Sequence, residues 1–529
     1  MGYLYAAPVE QAEPDSGVTL AELLAAFSLA TDLGLGQPME HVLRSWQIAA
    51  QLANHMNMSE EHRESLFFVA MLAWVGCVAD APEVAAAFGD DIEFRADSYR
   101  VDLAGSAAFG FFLSHAGRGG SAAHRLRTVA GLVLTGGARV AQGLQSHCLT
   151  TSVLADRLGL GGDIGPALRQ WFTRWDGKGV PPGVGGTDIA ATVRVFHLAD
   201  IVEVHHRRSG LDGALAVARA RRGGHFAPDV VDAFCEVAVK VLSSVADHSD
   251  VHDLVAREPH LQRRLSGAEL DAAMGALGDF TDLRSANRAG HSLGVAELAG
   301  DAARTMGLPS ADVIAARRAA YVHDIGLHGV PVTILDKAGP LSTTEWERVR
   351  LSSYYTERVL TRPPGLARVG AVASLAHERM DGSGYHRGLT GSAIPRSGRV
   401  LAAACAYRAM LEPRAHRPAM AAKEATAALR AEVRAGRLDA EAVDAVLVAS
   451  GVSRSKRMSG PAGLTPREVE VLILISRGAA TNEVAHRLGI SRKTAGTHIE
   501  RIYTKTGASS RATATLFALR NGLLDPLDL

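Results

Sequence analysis

From Val18 onward the chain repeats apolar residues at three- and four-residue intervals almost without a break. Ala, Leu, Glu and Arg dominate, and runs that alternate apolar with polar residues are few. This spacing lines one face of successive helices and predicts an all-α body. Residues 1–17, polar and carrying Pro and Gly, are expected to be a mobile N-terminus.

The sharpest element boundaries lie in residues 464–522, which read as four short helices. Thr465 and Glu468 have the spacing of a capping box, with Pro466 at the first helical position, where its missing N–H costs nothing. Thr481 is placed to cap a second helix that stops at Gly489. Only Ile490 separates that glycine from Ser491, the cap of a third helix running to about Thr506, and Ser509 caps a last helix ending near Gly522. A helix, a tight turn containing Gly and a longer helix make a helix-turn-helix.

The body repeats itself. RWDGKG at 174–179 matches RMDGSG at 379–384, an offset that also pairs Arg194 with Arg399 and Asp200 with Cys405. Upstream the offset lengthens: His41 falls on His291, and the segment from Ala73 to Gly76 falls on that from His323 to Gly326. Two ordered blocks predict an ancient duplication, with the first copy carrying an insertion at about 78–170. The expected organisation is two tandem helical domains, 18–245 and 265–450, a polar linker at 451–463, and the four-helix domain at 464–529.

Charge changes this picture in one respect. The 529 residues carry a formal net charge of zero, yet residues 451–529 hold twelve Lys/Arg against six Asp/Glu, leaving the body with 44 against 50. A basic tail on an acidic body is the asymmetry expected when one domain meets the phosphates of double-stranded DNA. No apolar run reaches 18 uncharged residues and no basic, apolar leader opens the chain, so neither a membrane span nor a signal peptide is expected, and a cytoplasmic location follows. Cys77, Cys148, Cys235 and Cys405 are scattered without CxxC spacing, which argues against a disulfide framework or a thiolate zinc site.

Candidate chemistry sits in the second copy. His323 and Asp324 end the helical segment RRAAYVHDIG, and neighbours on a helix point about 100° apart, so both reach one cation only at the helix surface with help from elsewhere. His291 and His377 are the available helpers. An imidazole–carboxylate set suits zinc, iron or manganese, where the ion lowers the pKa of a bound water for attack on a phosphate ester.

HSLGVAELA at 291, HDIG at 323, LDKAGPLSTTEWERVR at 335 and HERMDGSGY at 377 closely resemble HD-GYP domains over residues 289–419. Those domains are metal-dependent phosphodiesterases of cyclic di-GMP within the HD phosphohydrolase superfamily. The resemblance carries a ligand role onto His291, His323, Asp324 and His377. It also marks departures: Leu327 replaces the family lysine, Ser352 and Ala376 replace metal-binding histidines, Cys405 replaces the closing aspartate, and His386 replaces the signature proline. Three lost ligands leave no second metal site. One divalent transition ion remains conceivable through His291, His323 and Asp324 with Cys405 or His377, and a thiolate at 405 would favour zinc over magnesium. No catalytic residue is assigned, and no turnover of cyclic di-GMP is expected.

In the first copy His41 and Asp200 persist, while Ala73 and Trp74 stand at the His-Asp pair and Phe172 and Thr173 at the histidine-glutamate positions. That copy is expected to be structural or ligand-sensing.

The tail closely resembles the LuxR-type (NarL-type) helix-turn-helix domain, through Thr465 to Glu468, Ile490, Ser491, Lys493, Thr494, Thr497, His498, Ile502, Tyr503, Lys505 and Gly507. The resemblance implies a recognition helix whose first turns enter the major groove. Lys493 is the first candidate for a base or phosphate contact, with Arg492, Thr494, Thr497 and His498 beside it and Arg501 and Lys505 tracking the backbone. Ala495, Ile499, Ile502 and Tyr503 are read as core. Gly496 replaces the lysine common in the family and removes one charged contact. Such units pair on two half-sites, and Leu516, Leu519 and Leu523 on or beside the last helix are candidates for a homodimer face. The expected function is sequence-specific transcription regulation, with the tandem domains sensing a small-molecule or nucleotide effector or driving oligomerisation. The alternative is a metal-dependent phosphohydrolase fused to a DNA reader.

Overall fold

The computed structural model describes residues 17–135, 137–245, 251–451, 461–508, 510–521 and 523. Among these the chain is helical throughout, with isolated β-bridges and no strand. It forms two compact units, one ending at Ser450 and the other starting at Gly451. Most of the expected linker, 452–460, lies outside the described residues.

Element bounds recur at the offsets found in the sequence. Helices His41–His55 and Glu60–Leu72 of the first copy start where His291–Thr305 and Ser310–Val322 start in the second, at the upstream offset. Each copy enters its first-histidine helix through a left-handed residue, Glu40 at φ 78° and Gly290 at φ 74°. Each then caps that helix with a carboxylate from the preceding one: Asp32 accepts from Val42 N at 3.1 Å and Asp282 from Ser292 N at 2.7 Å. Downstream, the short 3-10 turns Gly186–Asp188 and Gly391–Ala393 and the starts of helices Ala191–Ala220 and Arg396–Leu411 correspond at the second offset.

The copies do not stand apart, because charged and apolar groups buried between them join them into one unit. Asp91, fully buried, accepts from Arg95 at 2.9 Å, from Arg284 at 3.0 Å and from the Val332 amide at 2.9 Å, so a first-copy carboxylate closes the backbone of the second. Glu40 pairs with Arg362 at 2.7 Å, and Phe27 meets the His328 ring edge-on at 5.5 Å. One helical stretch, Glu60–Ala79, is long and apolar enough by composition to cross a membrane, a length not anticipated from uncharged runs alone. Two thirds of it, 67%, is buried in the body, as befits a core helix.

In the second unit, helices Pro466–Ser476, Thr481–Leu488, Arg492–Thr506 and Arg511–Arg520 enclose Leu464, Val471, Leu472, Ile475, Val484, Ala495 and Ile502. The Thr465–Glu468 capping box is present, Gly489 takes φ 63°, and Ser491 accepts from the Thr494 amide at 3.1 Å. Two boundary expectations shift. Ala480, in an extended conformation, is the N-cap of the second helix and Thr481 its first residue. Ser510 accepts from the Thr513 amide at 3.3 Å at the start of the last helix, while Ser509 lies outside the described residues.

Candidate metal centre and nucleic-acid interface

His291, His323 and Asp324 sit at two breaks in helical structure. His291 opens its helix directly after left-handed Gly290. Helix Ser310–Val322 stops at His323, and Asp324 leads into the 3-10 turn Ile325–Gly329. Gly326 permits this: a Cβ there would lie 1.9 Å from the Ser352 carbonyl oxygen, so only glycine fits. Thr356 fastens the turn, accepting from Gly326 N and donating to His323 O, both at 3.1 Å.

Each imidazole is oriented from behind. His291 Nδ1 lies 2.7 Å from Glu412 Oε2, and His323 Nδ1 lies 2.7 Å from the Ala320 carbonyl. Both Nε2 atoms therefore face inward, 3.8 and 3.0 Å from Asp324 Oδ2, while His377 Nε2 is 3.2 Å from Asp324 Oδ1. Cys405 Sγ lies 3.6 Å from His323 Nε2. Two overlapping sets, His291–His323–Cys405 and His323–Asp324–His377, keep their ligand atoms within 4.8 Å of one another. Burial holds His291 and His323 well below the usual imidazole range and His377 down to about 3, which keeps all three neutral with a lone pair to offer. Burial also pushes the Cys405 thiol up.

This arrangement fits one ion, with second-sphere anchors of the kind that fix ligand tautomers. It does not fit two, since Ser352 and Ala376 are buried without a competent donor and Leu327 is part of an apolar cluster. Two further residues shape the centre. Glu412 aims His291, and Arg288 forms a close ion pair with Asp324, supplying in place a positive charge that a metal would otherwise bring. Arg288→Ala removes the cation that competes for Asp324 and should tighten binding of zinc or manganese, measured by isothermal titration of metal-stripped protein.

The first copy retains the shape with fewer of the donors. His41 Nε2 faces Asp200 at 3.2 Å and Nδ1 faces Glu203 at 2.6 Å, while Trp74 donates Nε1–H to Asp200 at 3.1 Å. The Trp74 indole packs against Tyr99, Trp171 and Phe172, filling the expected cavity. Burial works against the His41 charge, yet Glu203 and Asp200 raise it to about 10, so a charged imidazole bridging two carboxylates holds the place of an ion.

On the recognition helix Arg492–Thr506, the side chains of Arg492, Lys493, Thr494, Thr497 and Arg501 are exposed. Arg492, Lys493 and Arg501 make no ion pair among the described residues. Thr497 Oγ1 donates to the Lys493 carbonyl at 3.1 Å and Thr494 shares a hydrogen bond with Ser491 at 2.8 Å. His498 is half-buried. Ala495 and Ile502 are fully buried and Ile499 and Tyr503 pack against the core, as expected. Lys505 is exposed at the far end of the helix, and its Nζ lies 2.7 Å from Glu468 Oε2 and 3.0 Å from the Gly463 carbonyl, beside the first helix's cap. The Leu516 and Leu519 side chains, proposed for the dimer face, lie outside the described residues, and Leu523 is half-buried against the unit's core.

Comparisons with known proteins follow the same division. The model of the HD domain matches residues 253–442, and that of bacterial regulatory proteins of the luxR family matches residues 462–518. The chain is 29% identical over 413 residues to the 3'3'-cGAMP-specific phosphodiesterase 3 of Vibrio cholerae, covering 77% of this chain and 90% of that protein. It superimposes on the crystal structure of the V. cholerae cyclic GMP-AMP specific phosphodiesterase V-cGAP3 with a TM-score of 0.58 at 26% identity, over 82% of this chain and 98% of that one. Both likenesses extend beyond the HD match and take in first-copy residues. The transcriptional regulatory protein YxjL of Bacillus subtilis is 35% identical over 101 residues, 18% of this chain and 46% of its own length. An HD-type helical body thus carries a DNA-reading tail: residues 253–442 belong to the HD domain family and residues 462–518 to the luxR family of bacterial regulatory proteins.

Proposed function

We propose that the chain is a cytoplasmic transcription regulator that binds promoter DNA as a homodimer. Arg492, Lys493, Thr494, Thr497, His498 and Arg501 make the contacts, and Lys505 tracks the backbone from beside the first helix's cap. The tandem domains, 18–245 and 265–450, sense a cyclic dinucleotide or drive oligomerisation. The observation that carries this reading is the union of an unpaired basic face on a luxR-family recognition helix with an HD body whose second-metal positions are Ser352 and Ala376. The nucleotide class follows from the substrates named for the Vibrio relatives. Oligomerisation is supported by apolar side chains left outward on the first-copy insertion, Leu126 at 72% and Leu134 at 86% exposure among them. The test is retardation of genome-selected DNA by full-length protein with and without 3'3'-cGAMP. The expected result is a shift in affinity with the nucleotide recovered intact; DNA binding indifferent to every cyclic dinucleotide removes the sensing role.

A second reading, a single-metal phosphodiesterase, is favoured by the convergence of His291, His323 and Cys405. A zinc, iron or manganese ion there would be held by these three with Asp324 and would supply Lewis acidity for activating water. Protein loaded with manganese or ferrous iron should leave cyclic di-GMP and 3'3'-cGAMP intact over hours, by chromatography. Turnover that disappears in His323→Ala would establish the second reading.

A further inference from the structure

Outside both vestigial centres, one cluster of donors has no role in the reading above. Cys77 lies in the short helix Gly76–Ala79, Asp80 follows it directly, and His147 projects from the middle of helix Ala138–Arg157 in the first-copy insertion. Their ligand atoms all lie within 4.8 Å of one another. His147 Nε2 is 2.8 Å from the Ala73 carbonyl, an acceptor only, so Nε2 carries the hydrogen and Nδ1 turns inward, 3.1 Å from Asp80 Oδ2. This is the second-sphere arrangement that presents an imidazole to a metal. The other carboxylate oxygen of Asp80 is held by Arg95, which also donates to the Cys77 carbonyl at 2.8 Å, so the Asp80 orientation is fixed as well.

The site is built at close quarters. A Cβ on residue 76 would fall 2.5 Å from His147 Cγ, so the ring seats against a backbone that only glycine leaves open. Phe172 and Trp74 wall the imidazole, with ring centroids at 4.9 and 6.2 Å. The His147 side chain is fully buried and Cys77 is 5% exposed, while Asp80 keeps 12% of its side chain open as the way in.

We propose that Cys77, Asp80 and His147 hold a divalent transition-metal ion of the zinc class, clipping the insertion to the first-copy core. A soft thiolate, an imidazole and a carboxylate are zinc donors, with one position left for water. Binding takes the cysteine as thiolate and the imidazole as neutral ligand, so it is coupled to proton release. The site is particular to the first copy: the second lacks the insertion, and its residues at the corresponding positions are Leu327 and Val330, both buried in an apolar cluster. It rests on different residues from the proposed function and stands or falls separately.

The experiment is titration of metal-stripped full-length protein with cobalt(II), read by thiolate-to-cobalt charge-transfer absorption. The expected result is a thiolate-bound equivalent that persists in Cys405→Ser and in His323→Ala and vanishes in Cys77→Ser. No thiolate band in the wild type, or a band lost with Cys405→Ser and kept in Cys77→Ser, overturns the assignment. Should Cys77→Ser fail to fold, X-ray absorption of zinc-loaded Cys405→Ser decides: a sulfur neighbour at about 2.3 Å supports the site, and a shell of nitrogen and oxygen alone defeats it.

Discussion

Lys493→Ala is expected to weaken DNA binding by about 10- to 100-fold, roughly 1–3 kcal/mol for a lost base contact. If the ammonium meets phosphate instead, the loss spreads evenly over sequences and the slope of log affinity against log salt falls by about one. The side chain is exposed in the first turn of a helix whose N-terminus Ser491 caps, and it carries no intramolecular ion pair, so its removal leaves the fold intact. Fluorescence anisotropy at several salt concentrations separates the two cases, and wild-type affinity in the variant would remove Lys493 from the interface. Gly496→Lys supplies a contrast in the opposite direction. A Cβ at 496 meets nothing within 4 Å, so the new side chain enters open space. Helix propensity improves by under about 1 kcal/mol, and one more cation joins the face.

Fold class and the core of the candidate site were legible because both are written in local spacing. Helical periodicity, the Thr465–Glu468 box, the Gly489 stop and the two offsets of the repeat each appear in the structure as element bounds. His291, His323, Asp324 and His377 converge as their motifs imply. The groups that decide what the site does were not legible. Arg288 reaches Asp324 from a 3-10 turn and Glu412 reaches His291 from just past a helix end, where no periodicity announces them. Lys505 has the spacing of a DNA contact, and nothing in that spacing announces the buried Glu468 carboxylate 2.7 Å from its Nζ. Cysteine spacing compares sequence neighbours, whereas His147 meets Cys77 only where the insertion folds back. Nor did the repeat, which suggests two domains, reveal that Asp91 and His328 would bury themselves across the join.

That join should respond to acid through His328. The ring is fully buried in the turn Ile325–Gly329, edge-on to Phe27 of the first-copy helix Leu20–Gly34, and burial with Arg284 nearby lowers its pKa from 6.5 to about 3. Above pH 6.5 the imidazole is neutral in both folded and unfolded chains, and its full contribution is present. As pH falls below that value the unfolded chain takes up a proton that the folded one refuses, so stability is lost at about 1.4 kcal/mol per pH unit until pH approaches 3. His328→Leu abolishes this linkage. Chemical denaturation of both proteins should therefore give a stability difference that changes by about 3 kcal/mol between pH 7 and pH 4, with the wild type losing more. Asp32, on the same first-copy helix, acts with the opposite sign: burial raises its carboxyl to about 7, so its contribution is lost as pH rises from 3.8 toward that value. Because both proteins keep Asp32, its effect cancels in the difference, which isolates the imidazole. A difference that stays flat across this range would mean that His328 gains its proton within the folded join and that the two copies are not sealed against water there.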